Sequence, residues 1–548
     1  MFRILENIYV YKLRNLSEMK ATYIEYKDTQ SFSKNLLAYL NNDPVLQPFF
    51  GHRPDREGLE SQIKSKAAFA HRALLVRSLR EQYGEELLSS SPEVAENISR
   101  LQDPQTFTVT TGHQLNIFTG PLYFIFKIVS TIRLAQDLKE QFPEYEFVPV
   151  YWMATEDHDF QEINHTKVFG KTISWQVPDT AATGRISTET ITETVKEYCN
   201  TFGLSENASQ LTELVHRAYL HSPNLADATR YFVNSLFKQY GLIVLDADQR
   251  SLKEIFSPVI QDDIINQHSY RTISTTSKAL GDLGFSSQVH PREINFFYLT
   301  DQFRERIVQT DDGDYEVLHQ PIRWNKAELI KEIQQHPERF SPNVVTRPLY
   351  QEMILPNLAY VGGGAEISYW LQLKACFDHY GQAFPVLIPR NSALITDDRT
   401  AGKVYRLDLT FKSIFKPADT LKNDFVKRQT KHRLNLQDER MELNAVFAKI
   451  KLRTHKIDPS LGPSTEAVKA RLKKALNSLE KKLLKAEKRN HQEALIQIQR
   501  LKDKLFPGGA LQERTDNFAE LYLKHGVDLI PELMKSFNPL DFKFTILY

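Results

Sequence analysis

Four consecutive ionisable residues, Glu156-Asp157-His158-Asp159, follow directly on the apolar run Phe147–Met153. A charge taken out of water needs a partner, so such a cluster at the end of a buried strand either binds a ligand or pairs within itself. Two chemistries suit it. Carboxylates and imidazole can ligate a divalent ion, or His158 or an acidic neighbour can act as the general base that deprotonates an incoming amine. Asn164 lies on the same loop. Zinc has the least support, because neither a helical HExxH nor a pair of thiolates is present, and no metal ligands are assigned.

Three further clusters sit where apolar runs give way to polar residues. Thr111-Gly112-His113-Gln114, with Asn116, Thr119 and Gly120, precedes a helical pattern carrying Lys127. The segment lacks the Gly-Lys-Ser/Thr of a Walker loop. It looks like a Gly-His phosphate loop of class I nucleotidylyl-transfer folds, where the His and a helix N-terminus meet the phosphates; the plain alternative is a turn glycine with a capping histidine. In the second cluster, Arg347 and Tyr350 precede Gly362-Gly363-Gly364 and Glu366. The glycines let a backbone approach a ligand, and Arg347 can fork onto a carboxylate or phosphate, a flexible turn being the equal alternative. The third is Arg390-Asn391-Ser392. If the turn at Pro507-Gly508-Gly509 brings Lys504 and Arg514 toward it, two or three cations would suit a diphosphate. Otherwise Arg390 pairs with a core acid.

The elements needed to position these clusters are legible. Strand-like runs begin at Thr106 and Phe147 and recur at Gly241–Gln249, Leu358–Glu366 and Phe384–Ser392, with a helical pattern between the first two. That predicts an α/β fold with a doubly wound parallel sheet, its ligands beyond the carboxyl ends of the strands. Helical patterns fill 187–240, and a β-hairpin is expected to turn at Asp311–Asp314. Leu472, Leu476, Leu479, Leu483, Ala486 and Asn490 follow alternating four-three spacing. The pattern resumes after one stutter at Ala494, Ile498, Leu501 and Leu505, while Leu436, Leu443 and Ile450 repeat by sevens. This predicts a long antiparallel α-helical coiled-coil hairpin turning at Pro459–Pro463. Its second arm, Ser464–Phe506, is basic, a solvated face or a contact for a phosphate-bearing ligand or partner.

The parts then fall as 1–18, a poorly ordered extension; 19–186, 241–290 and 341–408, the core; 187–240, a helical insertion; 291–340, a connecting hairpin; 409–506, the coiled coil; and 507–548, a return to the core. With 548 residues, 41% apolar and 25% charged, the chain is too long for one small binding module and has ample material for a core. A net charge of +1 excludes a global pull toward nucleic acid or an acidic membrane. Cys199 and Cys376 form no CxxC, so a disulfide framework is not expected and a reducing cytoplasm fits best. The apolar stretch Ile117–Ile132 is broken by Pro121 and Lys127, and the first 18 residues lack a signal peptide's apolar centre, so no membrane is expected.

The chain resembles one family, BshC, the cysteine ligases of bacillithiol biosynthesis. The likeness rests on TGHQLNIFTGPLYFIFK (111–127), PVYWMATEDHDFQEINH (149–165), SPNVVTRPLYQEMILPNLAYVGGGAEISYW (341–370), IPRNS (388–392) and LFPGGALQER (505–514), in family order over most of the chain. It departs at His113, where the family more often has Gln. The resemblance implies a Rossmann-like core with inserted connecting subdomains and a coiled coil that makes a homodimer. It also implies addition of L-cysteine to the amine of glucosaminyl malate, giving bacillithiol. A free carboxylate does not acylate an amine at neutral pH, so nucleotide-dependent activation as an acyl adenylate or acyl phosphate is the expected route, with ATP/ADP the cofactor considered and the activating nucleotide left open. On this reading Glu156, Asp157, His158 and Asp159 surround the reacting amine. Thr111, Gly112, His113, Gln114, Asn116, Thr119, Gly120, Asn164, Arg347, Tyr350, Gly363, Gly364 and Glu366 bind substrate, and Arg390, Asn391, Ser392, Lys504 and Arg514 hold the nucleotide. The alternatives are a metal-dependent hydrolase built on Glu156–Asp159 and a non-catalytic coiled-coil scaffold.

Overall fold

The computed structural model describes residues 19–177, 181–431 and 434–548; the extension expected at 1–18 lies outside them. Two compact units result, one of residues 19–27, 31–394 and 511–547, the other of 28–30, 395–510 and 548.

In the first unit the five apolar runs form five strands: β1 (Thr106–His113), β2 (Glu146–Met153), β3 (Ile243–Asp246), β4 (Asn357–Gly362) and β5 (Val386–Pro389). They pair in parallel in the order β5-β4-β1-β2-β3. Every residue of β4 and β5 is buried, as a sheet covered on both faces requires, which is why these strands read as unbroken apolar runs. Helix α1 (Tyr123–Gln141) carries the chain from β1 to β2 and buries Phe124, Ile128, Ile132 and Leu138. The chain builds outward through β2 and β3, then returns to place β4 on the other side of β1. The doubly wound order therefore has its switch point between β1 and β4, where a ligand crevice opens.

Helices Thr192–Cys199, Glu206–Leu220 and Leu225–Phe237 occupy the helical insertion. The hairpin at Asp311–Asp314 forms, but inside a larger motif. Strands Phe296–Leu299, Arg304–Gln309, Tyr315–Val317, Arg323–Trp324 and Phe340–Pro342 make a five-stranded antiparallel sheet. The C-terminal strand Lys543–Leu547 pairs with Ala21–Glu25, returning the end of the chain to the core.

The second unit begins at Ile395 rather than at 409, because helix Asp398–Arg406 is tied to the long arm: Lys504 Nζ donates to Asp397 Oδ2 and Thr400 Oγ1, both at 2.7 Å. Helices Gln437–Ile457 and Gly462–Asn490 run antiparallel, joined by Pro459–Leu461 and cross-linked by Arg440–Glu480 and Lys451–Glu466. The stutter is a real break: His491 separates Gly462–Asn490 from Gln492–Leu505.

Candidate functional site

A cavity of about 600 Å³ opens at the switch point. Gly112, His113 and Gln114 line it from the end of β1, Ala154–His158 from the end of β2, and Arg347, Tyr360 and Glu366 from β4 and its flanking helices; His290, Arg292, Phe297 and Arg304 come from the inserted sheet and its approach.

An ion pair between buried Lys127 and half-buried Glu366 lines it. Lys127, on α1, donates to the Gly112 carbonyl and to Glu366 Oε1 and Oε2 at 2.8 and 2.9 Å. Glu366 also accepts Tyr360 OH at 2.6 Å and the Gly363 N–H at 3.1 Å. Burial pushes the Glu366 carboxyl up, but attraction and hydrogen bonds from Lys127, Tyr360 and Gly363 outweigh it and hold it below the usual range, so it stays ionised. Arg347 lies over Trp152 and Tyr360, centroid distances 5.5 and 5.8 Å. Its Nη1 donates to Gln351 Oε1 at 3.0 Å and the Tyr369 hydroxyl stands beside the guanidinium, while the buried Nη2 makes no well-formed hydrogen bond among the described residues. A buried, unsatisfied cationic donor on a cavity wall costs free energy unless a ligand anion accepts from it.

The acidic loop divides its labour. Glu156 turns inward onto Lys253, which is fully buried and also donates to the Phe340 carbonyl at 2.8 Å. Asp157 Oδ2 accepts Gln114 Nε2 at 2.7 Å, and Oδ1 accepts the His158 N–H at 2.9 Å. Arg304 Nη1 lies 2.7 Å from His158 Nδ1 and 3.8 Å from Asp157 Oδ1, its guanidinium 4.0 Å over Phe297. A guanidinium has no lone pair, so His158 Nδ1 accepts and Nε2 carries the proton. Burial and the Arg304 charge lower the His158 pKa, keeping that ring neutral. The geometry thus leaves His158 able to donate through Nε2, with the Asp157 carboxylate beside it on the cavity wall. Asp159 is exposed and absent from the cavity wall, and Asn164 pairs with the neighbouring His165.

A second cavity of about 480 Å³ shares Gln114 and Tyr123 with the first. Asn116, Glu162, His165, Lys167 and Arg514 line it. Asn116 is 8% exposed and its Oδ1 has no hydrogen-bond partner among the described residues. Lys167 and Arg514 line the space, Lys167 within the field of Asp516 and Glu520. The turn above it holds Phe118, Thr119 and Gly120 at φ 50°, 71° and 58°, a left-handed run that only strong restraint sustains. Asn517 Nδ2 supplies it, donating to the Phe118 and Gly120 carbonyls at 2.8 and 2.7 Å. A Cβ on Gly120 would lie 2.6 Å from Asn116 Cβ.

Several residues expected at the site serve the core instead. Thr111 Oγ1 donates to the Val361 carbonyl at 2.7 Å and Tyr350 OH to the Ala247 carbonyl at 2.8 Å. Thr119 is buried and lines neither cavity. Gly363 caps helix α2 (Gly364–Trp370), and Gly364 makes room for Leu36. His113 packs on Tyr123 and Phe124, and burial followed by the Lys127 charge lowers its pKa to about 4. It is neutral and half-buried on the cavity wall, and the strained turn, rather than a direct entry into α1, follows it. The residues expected to hold a nucleotide have other partners. Arg390 donates to Glu513 Oε1 at 2.7 Å and to the Asn391 carbonyl and Ser392 Oγ at 3.0 Å. Asn391 binds Ser130 and Asn538, Lys504 belongs to the second unit with Asp397, and Arg514 faces the second cavity. Arg390 is a clamp between β5 and the C-terminal segment.

Sequence reasoning missed Lys253, Arg292 and Arg304. Lys253 carried a signal, a lysine on the face of Leu252, Phe256 and Ile260; the arginines lie in a motif taken for a plain hairpin.

Residues 19–391 match the family model for the N-terminal Rossmann-like domain of bacillithiol biosynthesis BshC, and 393–548 that for its C-terminal coiled-coil domain. Relatives named "Putative cysteine ligase BshC" include those of Flavobacterium johnsoniae, 42% identical over 96% of this chain and 100% of the relative, and Cytophaga hutchinsonii, 38% identical over 97% and 99%. That of Chlorobaculum tepidum is 30% identical over 85% and 86%. Two domain models laid end to end on the switch-point core and the helical hairpin, with relatives matched along almost their full length, place the chain in the BshC family.

Proposed function

We propose that this chain joins L-cysteine to the amine of glucosaminyl malate, forming an amide and bacillithiol, with ATP activating the cysteine carboxyl as an acyl phosphate or acyl adenylate. The carrying observation is the Asp157–His158–Arg304 arrangement on the wall of the switch-point cavity, which Arg347 also lines. As the amine nitrogen bonds to the activated carbonyl carbon, the bond from that carbon to the phosphate oxygen breaks, and the amine proton passes to Asp157. His158, neutral and donating through Nε2, orients an oxygen of the reacting group. Arg304 fixes that tautomer, and Arg347 holds an anionic oxygen. The adjoining cavity suits the malyl end, since Lys167 and Arg514 supply two cations for two carboxylates and Asn116 Oδ1 an acceptor for a sugar hydroxyl.

The alternative of a metal-dependent hydrolase on Glu156–Asp159 finds no support, because Glu156 is spent on Lys253 and no described His, Cys or carboxylate joins that loop in a three-ligand group. No helix of the described residues is long and apolar enough to cross a membrane, in keeping with a cytoplasmic enzyme. A homodimer through the hairpin is also part of this reading, since Ile450, Leu472 and Leu479 of its seams remain 37%, 43% and 47% exposed. The test is mass-spectrometric detection of bacillithiol from glucosaminyl malate, cysteine and ATP. Product from the wild type, reduced at least a hundredfold in Asp157→Asn, is expected; no ATP-dependent product, or an unimpaired Asp157→Asn, overturns the reading.

A further inference from the structure

Outside both cavities, three helices bring together Asp262 (Arg250–Asn266), His268 (His268–Asp282) and His379 (Lys374–His379). Their donor atoms all lie within 4.8 Å of one another, and among the described residues no other group of three His, Cys, Asp or Glu side chains is close enough to share an ion. The two imidazoles stack with centroids 4.0 Å apart and planes inclined by 24°. An imidazole ring nitrogen can offer its lone pair to a metal ion. His268 Nε2 stands 3.9 Å from Asp262 Oδ2. The carboxylate is oriented by outer partners, Tyr380 OH donating to Oδ2 at 3.2 Å and Asn266 Nδ2 to Oδ1 at 2.7 Å, the kind of support that metal-ligating groups receive.

We infer that Asp262, His268 and His379 form a site for a divalent transition ion of the zinc type, with water completing its coordination. Two imidazoles and one carboxylate match the ligand preference of zinc and its neighbours, whereas magnesium and calcium select all-oxygen sets. Bonds of about 2.1 Å put tetrahedral donors about 3.4 Å apart, so the widest pair closes by about 1.4 Å, within the swing of the exposed His379 side chain. The ion would staple three helices beside a polar relay to the switch-point cavity. Asp263, next to the ligand Asp262, accepts the Ser269 N–H and hydroxyl at 2.6 and 2.7 Å, and Asn295 Nδ2 donates to Ser269 Oγ at 2.7 Å. Asn295 in turn accepts the Arg292 N–H and Asn343 Nδ2, both at 2.9 Å, and Arg292 and Asn343 line the cavity. This site does not depend on the ligase reading.

The test is calorimetric titration of zinc chloride into the chelator-treated full chain, with cobalt(II) as an optical probe. Saturable binding of one ion per chain is expected, with visible d–d bands on cobalt loading, weakened at least tenfold in His268→Ala and in His379→Ala. Melting curves of the zinc-free variants matching the wild type establish that they fold. Absence of saturable binding, wild-type affinity in the folded His379→Ala, or affinity lost instead in His158→Ala overturns the site.

Discussion

Replacing Arg390 by Met separates a structural clamp from a nucleotide-binding arginine. Glu513 is 0% exposed and Arg390 only 5%; the carboxylate holds Arg390 Nη2 with one oxygen and the Ala393 N–H with the other, at 2.7 and 2.9 Å. Burial lowers the Arg390 pKa, but the Glu513 charge and hydrogen bond more than reverse this, holding the guanidinium charged. Removing it strands a carboxylate oxygen away from water, which costs about 3–5 kcal/mol. At ~2.1 cal/mol/K of unfolding entropy per residue, a unit of roughly 400 residues changes by ~0.85 kcal/mol per degree. The expected fall in Tm is therefore about 4–6 °C, read by scanning calorimetry at pH 7.5. Arg390→Met/Glu513→Leu should recover most of the loss, since an apolar pair of similar volume avoids the desolvation cost. ADP titration should give the wild-type affinity in the single variant. An unchanged Tm together with weakened ADP binding would refute the clamp and restore Arg390 to a nucleotide site.

Acid stability should depend on His113. Its pKa falls from the ordinary 6.5 to about 4 in the fold, chiefly through burial, so the unfolded chain takes up a proton in this window that the folded chain refuses. The neutral ring's contribution is intact above pH 6.5 and is lost as pH falls toward 4, on the order of 2–3 kcal/mol in all. His113→Gln should flatten that part of the stability curve in urea titrations between pH 7 and 4; a slope equal to the wild type refutes it. For the hairpin, Leu472→Glu/Leu479→Glu should shift the light-scattering mass from dimer to monomer without changing helical content, and a variant that stays dimeric removes this seam as the interface.

The central sheet and the hairpin were legible in the sequence for a shared reason: both are written in local periodicity. A strand covered on two faces must be apolar at every position, as Val386–Pro389 is, and a helical seam must repeat by fours and threes, as Leu472 to Leu505 does. The loops at the strand ends were legible as places where polar groups collect. What each polar side chain faces was not legible, because it depends on partners far along the chain. Glu156 and Asp157 are neighbours, yet one is neutralised by Lys253 and the other meets Arg304 at the cavity wall. Arg347 and Arg390 had the same standing as strand-end cations, but only Arg390 finds a buried acid, Glu513, 123 positions away. Arg347 stays on the cavity wall over Trp152 and Tyr360. Burial makes an unpaired charge costly, so the fold had to answer each one individually, and those answers lie in contacts that no local spacing records.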